Sequence, residues 1–250
     1  MSGDDIAAAR RRVAVACRIL AHAGLIEDVL GHVSVRLDAE TVLVRGRGPR
    51  ECGVLFTVPD DVVACSLVTG AALAETDRVL PNELPIHLAC YRDDDTIGAV
   101  VHAHPPAVVA ADLAGVPLVP MVGAYNIPAA RLAATGIGVF PRAVLVDTAE
   151  LGAEMRAAMA GRPVCVLRGH GITATGATLE QAVGRALAVD SLARMASRVV
   201  ALGAAPVAIG ADDLAQLPDL GSAFNDVMLW RHHERRLADA GLDLDAEEDA

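Results

Sequence analysis

The stretch Val100-Val101-His102-Ala103-His104-Pro105-Pro106 constrains this chain more than any other. A run of β-formers ends in two histidines two positions apart, followed at once by two prolines. Side chains alternate across a strand, so His102 and His104 point to one face. Proline cannot continue a central strand, so the histidines sit at the strand's C-terminal end. A proline in the first turn of a helix costs nothing, so a helix from Pro105 to about Leu113 follows. Two imidazoles held parallel at a strand end are half of a metal site. Polar twins on a buried strand also need a shared partner.

The other elements interleave around that strand, which is read as residues 97–104. A first helix covers about residues 5–23, with Ile6, Val13, Cys17 and Leu20 at helical spacing and Gly24 closing it. Residues 31–37 and 41–45 alternate as two strands of a hairpin about Asp38-Ala39-Glu40. Residues 54–58, 62–68, 118–122 and 144–146 read as further short strands. Asn82 is expected to cap a helix through about Tyr91, with Pro85 in its first turn. Residues 123–128 have loop composition. Asp147 with Glu150, and Thr178 with Gln181, read as capping boxes opening two more helices. Gly161 ends the first of these. The second runs to about residue 202, with Leu187, Leu192 and Met195 on its apolar face. Between them, residues 164–167 form an apolar strand running into Arg168-Gly169-His170-Gly171. Residues 206–218 read as a looser connection. A last helix covers about 223–240, and the acidic tail from Asp243 to Ala250 is expected to fray. The pattern is that of one α/β domain over residues 1–250, with a mixed sheet flanked by helices.

Composition narrows the partners. At 250 residues the chain can bury a sizeable core, and with 53% hydrophobic residues it still shows no uninterrupted run of membrane-span length. The acidic N-terminus has no apolar segment of signal-peptide type. A net charge of −11 and 2% aromatics argue against nucleic acid. The five cysteines are an odd, dispersed set without a CxxC pair, which fits reduced thiols in the cytoplasm. By strand pattern Cys165 points into the core and is inert.

His170 is the third candidate ligand. It follows an apolar strand and lies between two glycines that let the backbone turn and expose the ring. Three histidines leaving an open position is the donor set of catalytic Zn²⁺. Mn²⁺, Fe²⁺ or Co²⁺ also take such ligands. Glu83 and His87 are four apart on one helix face, and either can point at the metal. His22, His232 and His233 read as solvated.

These residues resemble the class II aldolase/adducin family: Glu83, then His102-Ala103-His104 nineteen residues later, then Leu167-Arg168-Gly169-His170-Gly171. The family's Gly-Asn-x-Ser motif stands here as Gly31-His32-Val33-Ser34. The likeness covers about residues 5–205. It implies a mostly antiparallel central sheet and a carbon–carbon lyase working through a metal-stabilised enolate or enediolate. It further implies one divalent ion per chain, a small-molecule substrate, and a homotetramer with sites between subunits. By position it makes His102, His104 and His170 the ligands. Glu83 becomes the acid that ligates or moves a proton, its pKa raised toward neutrality by burial. Tyr125 becomes a proton donor to a neighbouring subunit's site.

The chain departs from the sugar-phosphate aldolases of that family. His32 replaces the motif's Asn, and Pro81-Asn82 replaces a Ser-Ser pair before the glutamate; both help hold phosphate. The loop Arg47-Gly48-Pro49-Arg50 instead offers two guanidiniums, good bidentate partners for carboxylates. The substrate-binding set is therefore read as His32, Ser34, Arg47, Arg50 and Asn82. Family members without the phosphate cradle include decarboxylases of hydroxylated aromatic acids such as dihydroxyphthalate. This chain looks most like that branch around residues 82–87 and 123–128. Aldol cleavage of a sugar phosphate, of the fuculose-phosphate type, is the second reading, and a non-catalytic adducin-like module the third.

Overall fold

Valine-rich segments of period two build the sheet. Its strands are β1 (His32–Arg36), β2 (Thr41–Arg45), β3 (Val62–Ser66), β4 (Ala99–Ala103), β5 (Gly138–Phe140), β6 (Val164–Leu167) and β7 (Gly171–Gly176). They belong to a computed structural model that describes residues 3–244. The order across the sheet is β3-β2-β1-β4-β7-β6-β5. Only β5 and β6 run parallel; every other neighbouring pair is antiparallel. The helices are α1 (Gly3–His22), α2 (Leu84–Asp93), α3 (Pro106–Leu113), α4 (Ile127–Ala134), α5 (Ala149–Met159), α6 (Leu179–Ala201), α7 (Ala211–Gln216) and α8 (Leu229–Asp239). The expected α/β class with a mixed, mostly antiparallel sheet is the observed one.

Strand alternation sorts side chains into two cores. Val33, Ala99, Val101, Ala103, Val166 and Ile172 face one side, where α1, α3, α4, α6 and α8 pack. Val42, Val44, Val100, Cys165 and Leu167 face the other, under α2 and α5. By the same alternation His32, Ser34 and His102 lie on the α2 side. Each buried valine there contributes about 1.5–2 kcal/mol. An unpaired buried imidazole would instead cost on the order of 2 kcal/mol or more. The histidines persist in that layer only with partners. Among the described residues no helix is long and apolar enough to cross a membrane.

Several local expectations are corrected. Residues 54–58 form no strand; Val54–Phe56 is a single 3-10 turn between Gly53 and Pro59. Residues 118–122 are irregular, because Pro117 and Pro120 remove ladder donors on either side. Residues 144–146 are irregular too: the Val146 N–H goes to the Glu83 carboxylate, 3.0 Å away, rather than to a ladder. The strand in that region is β5, before Pro141. Tyr125 closes a 3-10 turn, and α4 starts at Ile127, capped by the Asn126 side chain accepting from the Ala129 N–H at 3.2 Å. The cap of α5 is Thr148, not Asp147, and Glu83, not Asn82, holds the cap position of α2. Helix α7 lies inside the expected loose connection. His233 is buried on the inner side of α8, whereas His232 is exposed. Of the acidic tail, residues 245–250 lie outside the described residues.

Candidate metal centre and active site

Three chain segments deliver the cluster. The C-terminal end of β4 brings His102 and, one step past the strand, His104. The tight turn between β6 and β7 brings His170, and the N-terminal cap of α2 brings Glu83. One ligand atom from each of these four residues lies within 4.8 Å of the others. His104 Nε2 is 2.9 Å from His102 Nε2. Glu83 Oε2 is 3.3 Å from His102 Nε2 and 3.5 Å from His170 Nε2.

Each donor is held from behind. His102 Nδ1 donates to the Ile172 carbonyl at 3.0 Å, which leaves Nε2 without a proton and aimed at the cluster. Glu83 makes no side-chain cap to its own helix, so its carboxylate is free to turn to the sheet; Oε1 accepts from Val146 N–H and Oε2 faces the imidazoles. The His170 turn needs Gly169 at φ +62, a left-handed conformation. Asp112 on α3 secures it, accepting from the Gly169 N–H at 2.8 Å and pairing with Arg168 at 3.1 Å. The His104 N–H donates to the Leu25 carbonyl at 3.1 Å.

The electrostatics suit a cation. Burial pushes the His104 imidazole down to about 3, helped by its neighbours His102 and His170, so the ring is neutral and its lone pair is available. Burial alone would raise the Glu83 carboxyl. Protonated imidazoles at His102 and His170, or a cation in the place of their protons, outweigh burial and lower it. With a cation among the imidazoles, Glu83 would be an ionised fourth donor. A carboxylate oxygen and an imidazole lone pair facing each other at 3.3 Å repel, and a cation between them resolves the contact. The residues present therefore fit a divalent ion with three nitrogen donors and one carboxylate.

A second set of side chains lies beside the first. Tyr91 Oη is 2.8 Å from Ser34 Oγ, Ser34 Oγ is 2.6 Å from His87 Nδ1, and His87 Nε2 is 2.7 Å from His32 Nδ1. The His32 ring then lies 4.9 Å from that of His102. His87 therefore points away from the metal-type cluster and toward β1. Ser34, expected at the substrate, is fully buried with its hydroxyl engaged by Tyr91 and His87. The signal for this chain was in the sequence. Glu83, His87 and Tyr91 recur every four residues on α2, facing His32 and Ser34 at alternate positions of β1.

The other expected site residues stand apart. Among the described residues no hydrogen bond or ion pair joins Arg47, Arg50, Asn82 or Tyr125 to the cluster. Arg47 pairs its backbone with Val79. Arg50 is exposed beside a cavity of about 330 Å³ lined by Cys52, Phe56, Asp77 and Arg78 among others. Asn82 is exposed, and Tyr125, at φ +62, is 73% exposed.

Known proteins share this arrangement of chain and sheet. The family description "Class II Aldolase and Adducin N-terminal domain" matches residues 11–197. The 3,4-dihydroxyphthalate decarboxylase of Terrabacter sp. (strain DBF63) is 49% identical over 239 residues, covering 95% of this chain and 100% of that one. The enzyme of the same name from Arthrobacter keyseri is 48% identical over 237 residues, 94% of this chain and 96% of the other. In three dimensions, an aldolase II superfamily protein from Pseudomonas syringae superposes with a TM-score of 0.78, at 17% identity, over 97% of this chain and 96% of that chain. Matched by one family model over most of its length, and nearly half identical to decarboxylases end to end, the chain belongs to the class II aldolase and adducin family as a lyase of that family.

Proposed function

We propose that this protein is a metal-dependent decarboxylase of a hydroxylated aromatic dicarboxylate, of the 3,4-dihydroxyphthalate type. The observation that carries the reading is the donor set: three imidazoles and one carboxylate within 4.8 Å, in a chain so similar to decarboxylases. His102, His104 and His170 would hold one divalent ion, Zn²⁺ by donor chemistry, with Glu83 as fourth donor. A bound ion of this kind supplies Lewis-acid polarisation of substrate oxygens and stabilises negative charge as CO₂ departs. The chain's own residues do the rest. His102 and Glu83, fixed by the Ile172 carbonyl and the Val146 N–H, keep the donor geometry rigid. His32, Arg47, Arg50 and Asn82 bind the substrate's carboxylate and hydroxyl groups. The bond to the carboxyl carbon breaks, its electron pair stays on the ring carbon, and a proton takes the place of CO₂. The chain acts in a homotetramer in the cytoplasm, where its five unpaired cysteines stay reduced.

Turnover tests this directly. Saturable CO₂ release from 3,4-dihydroxyphthalate, with no cleavage of L-fuculose 1-phosphate, is the expected outcome. Cleavage of the sugar phosphate without CO₂ release would replace the reading with aldol cleavage.

In this reading the partner's Tyr125 delivers the proton. Tyr125→Phe should slow turnover about a hundredfold while leaving metal content unchanged. Co-expressed with His104→Ala, it should recover roughly a quarter of wild-type activity. In a randomly mixed ring about one site in four pairs an intact ligand set with an intact tyrosine. No recovery in mixed tetramers would remove Tyr125 from the neighbour's site.

A further inference from the structure

The buried chain Tyr91–Ser34–His87–His32 has a direction. Tyr91 is buried, and burial pushes its hydroxyl up, so it stays protonated and must donate. Ser34 Oγ is the acceptor within reach. Having accepted, Ser34 donates its own proton to His87 Nδ1. That ring then carries its proton on Nε2 and donates it to His32 Nδ1. The reverse order would leave the Tyr91 O–H buried and unpaired, a cost on the order of 1–3 kcal/mol. With Nδ1 accepting, the His32 proton lies on Nε2. That Nε2 has no partner among the described residues and is not closed off from solvent.

This separates His32 from its neighbours. Its ring is 4.9 Å from that of His102, as close as the rings of His102, His104 and His170 are to one another. An imidazole with its outer nitrogen protonated cannot ligate a metal but can donate a hydrogen bond. We infer that the chain Tyr91–Ser34–His87 locks His32 as a fixed Nε2–H donor beside the metal-type cluster, where it binds an anionic oxygen of the substrate. Ser34, His87 and Tyr91 are positioning residues. The substrate contact rests on the decarboxylase reading; the tautomer does not.

The test is ¹⁵N NMR of the histidine-labelled, Zn²⁺-loaded full chain, which requires no turnover. Wild type should show His32 protonated at Nε2 alone. In Ser34→Ala nothing donates to His87 Nδ1, so His32 should populate both tautomers, with kcat/KM down about tenfold and metal content unchanged. In Tyr91→Phe the O–H that sets the order is gone, Ser34 can then accept from His87 Nδ1–H as well as donate to it, and His32 should again populate both tautomers; a single Nε2–H tautomer in Tyr91→Phe would overturn the role of Tyr91. His32→Gln, which keeps an N–H on the outer side, should retain about tenfold more kcat/KM than His32→Leu. A His32 proton on Nδ1 in wild type, or a single Nε2–H tautomer with wild-type kinetics in Ser34→Ala, would overturn the lock. Equal kinetics for His32→Gln and His32→Leu would overturn the substrate contact. An intact lock in a protein that releases no CO₂ would count against the decarboxylase reading alone.

Discussion

His104→Ala should drop bound metal from one ion per chain to near none and lower turnover by about a thousandfold. The nitrogen removed is one of three, and loss of the ion forfeits several kcal/mol of charge stabilisation. The fold should hold. His104 lies one step beyond β4 and is only partly buried, and its backbone anchor, N–H to the Leu25 carbonyl, survives the substitution. The metal-free melting temperature of the variant should therefore match that of metal-free wild type. Mass spectrometry for metal, with thermal melts of both proteins stripped and loaded, reads both quantities. Full metal content in the variant would mean the ion sits elsewhere. A large fall in the metal-free melting temperature would make His104 a core residue first.

Gly171→Ala should damage the fold and the site together. A Cβ at residue 171 would stand 2.3 Å from the Ala103 carbonyl oxygen and 2.7 Å from His104 Cδ2. The carbonyl cannot yield cheaply, because Ala103 is paired to Ile172 in the ladder between β4 and β7. The two strand ends must separate, which costs about 3 kcal/mol, the upper end for overpacking. The same movement shifts His104 relative to His170, whose rings are 4.8 Å apart. Metal affinity should fall at least tenfold with all four donors still present. Urea unfolding should show a lower midpoint at unchanged slope, and a competition titration with a chelator should show the weaker binding. Wild-type values in both would mean that the close approach of β7 to β4 is not needed.

Much of the cluster was legible because its spacing is local. Two histidines at period two, stopped by prolines, can face only one way. A histidine between glycines after an apolar strand can stand only at a turn. Spacing alone did not say which neighbour on α2 joins them, since Glu83 and His87 share a helix face, although the family resemblance pointed to Glu83; the docking of α2 on the sheet sends Glu83 to the cluster and His87 to β1. That the Ser34 hydroxyl sits between Tyr91 and His87 was not legible either, because it depends on how α2 packs against β1. His233 reads as solvated until α8 packs against the core formed with α1.

The chain by itself determined the sheet's alternation, the strand end that carries His102 and His104, and the turn that carries His170. These follow from backbone stereochemistry within a few residues. Only the tertiary structure decided that β1 pairs with β4 so that His32 lies opposite His102, and that Val146 spends its N–H on Glu83 rather than on a strand. It alone gave the Tyr91–Ser34–His87–His32 chain its direction. Those outcomes depend on contacts between residues tens of positions apart, where the need to satisfy every buried donor and acceptor outweighs local propensity.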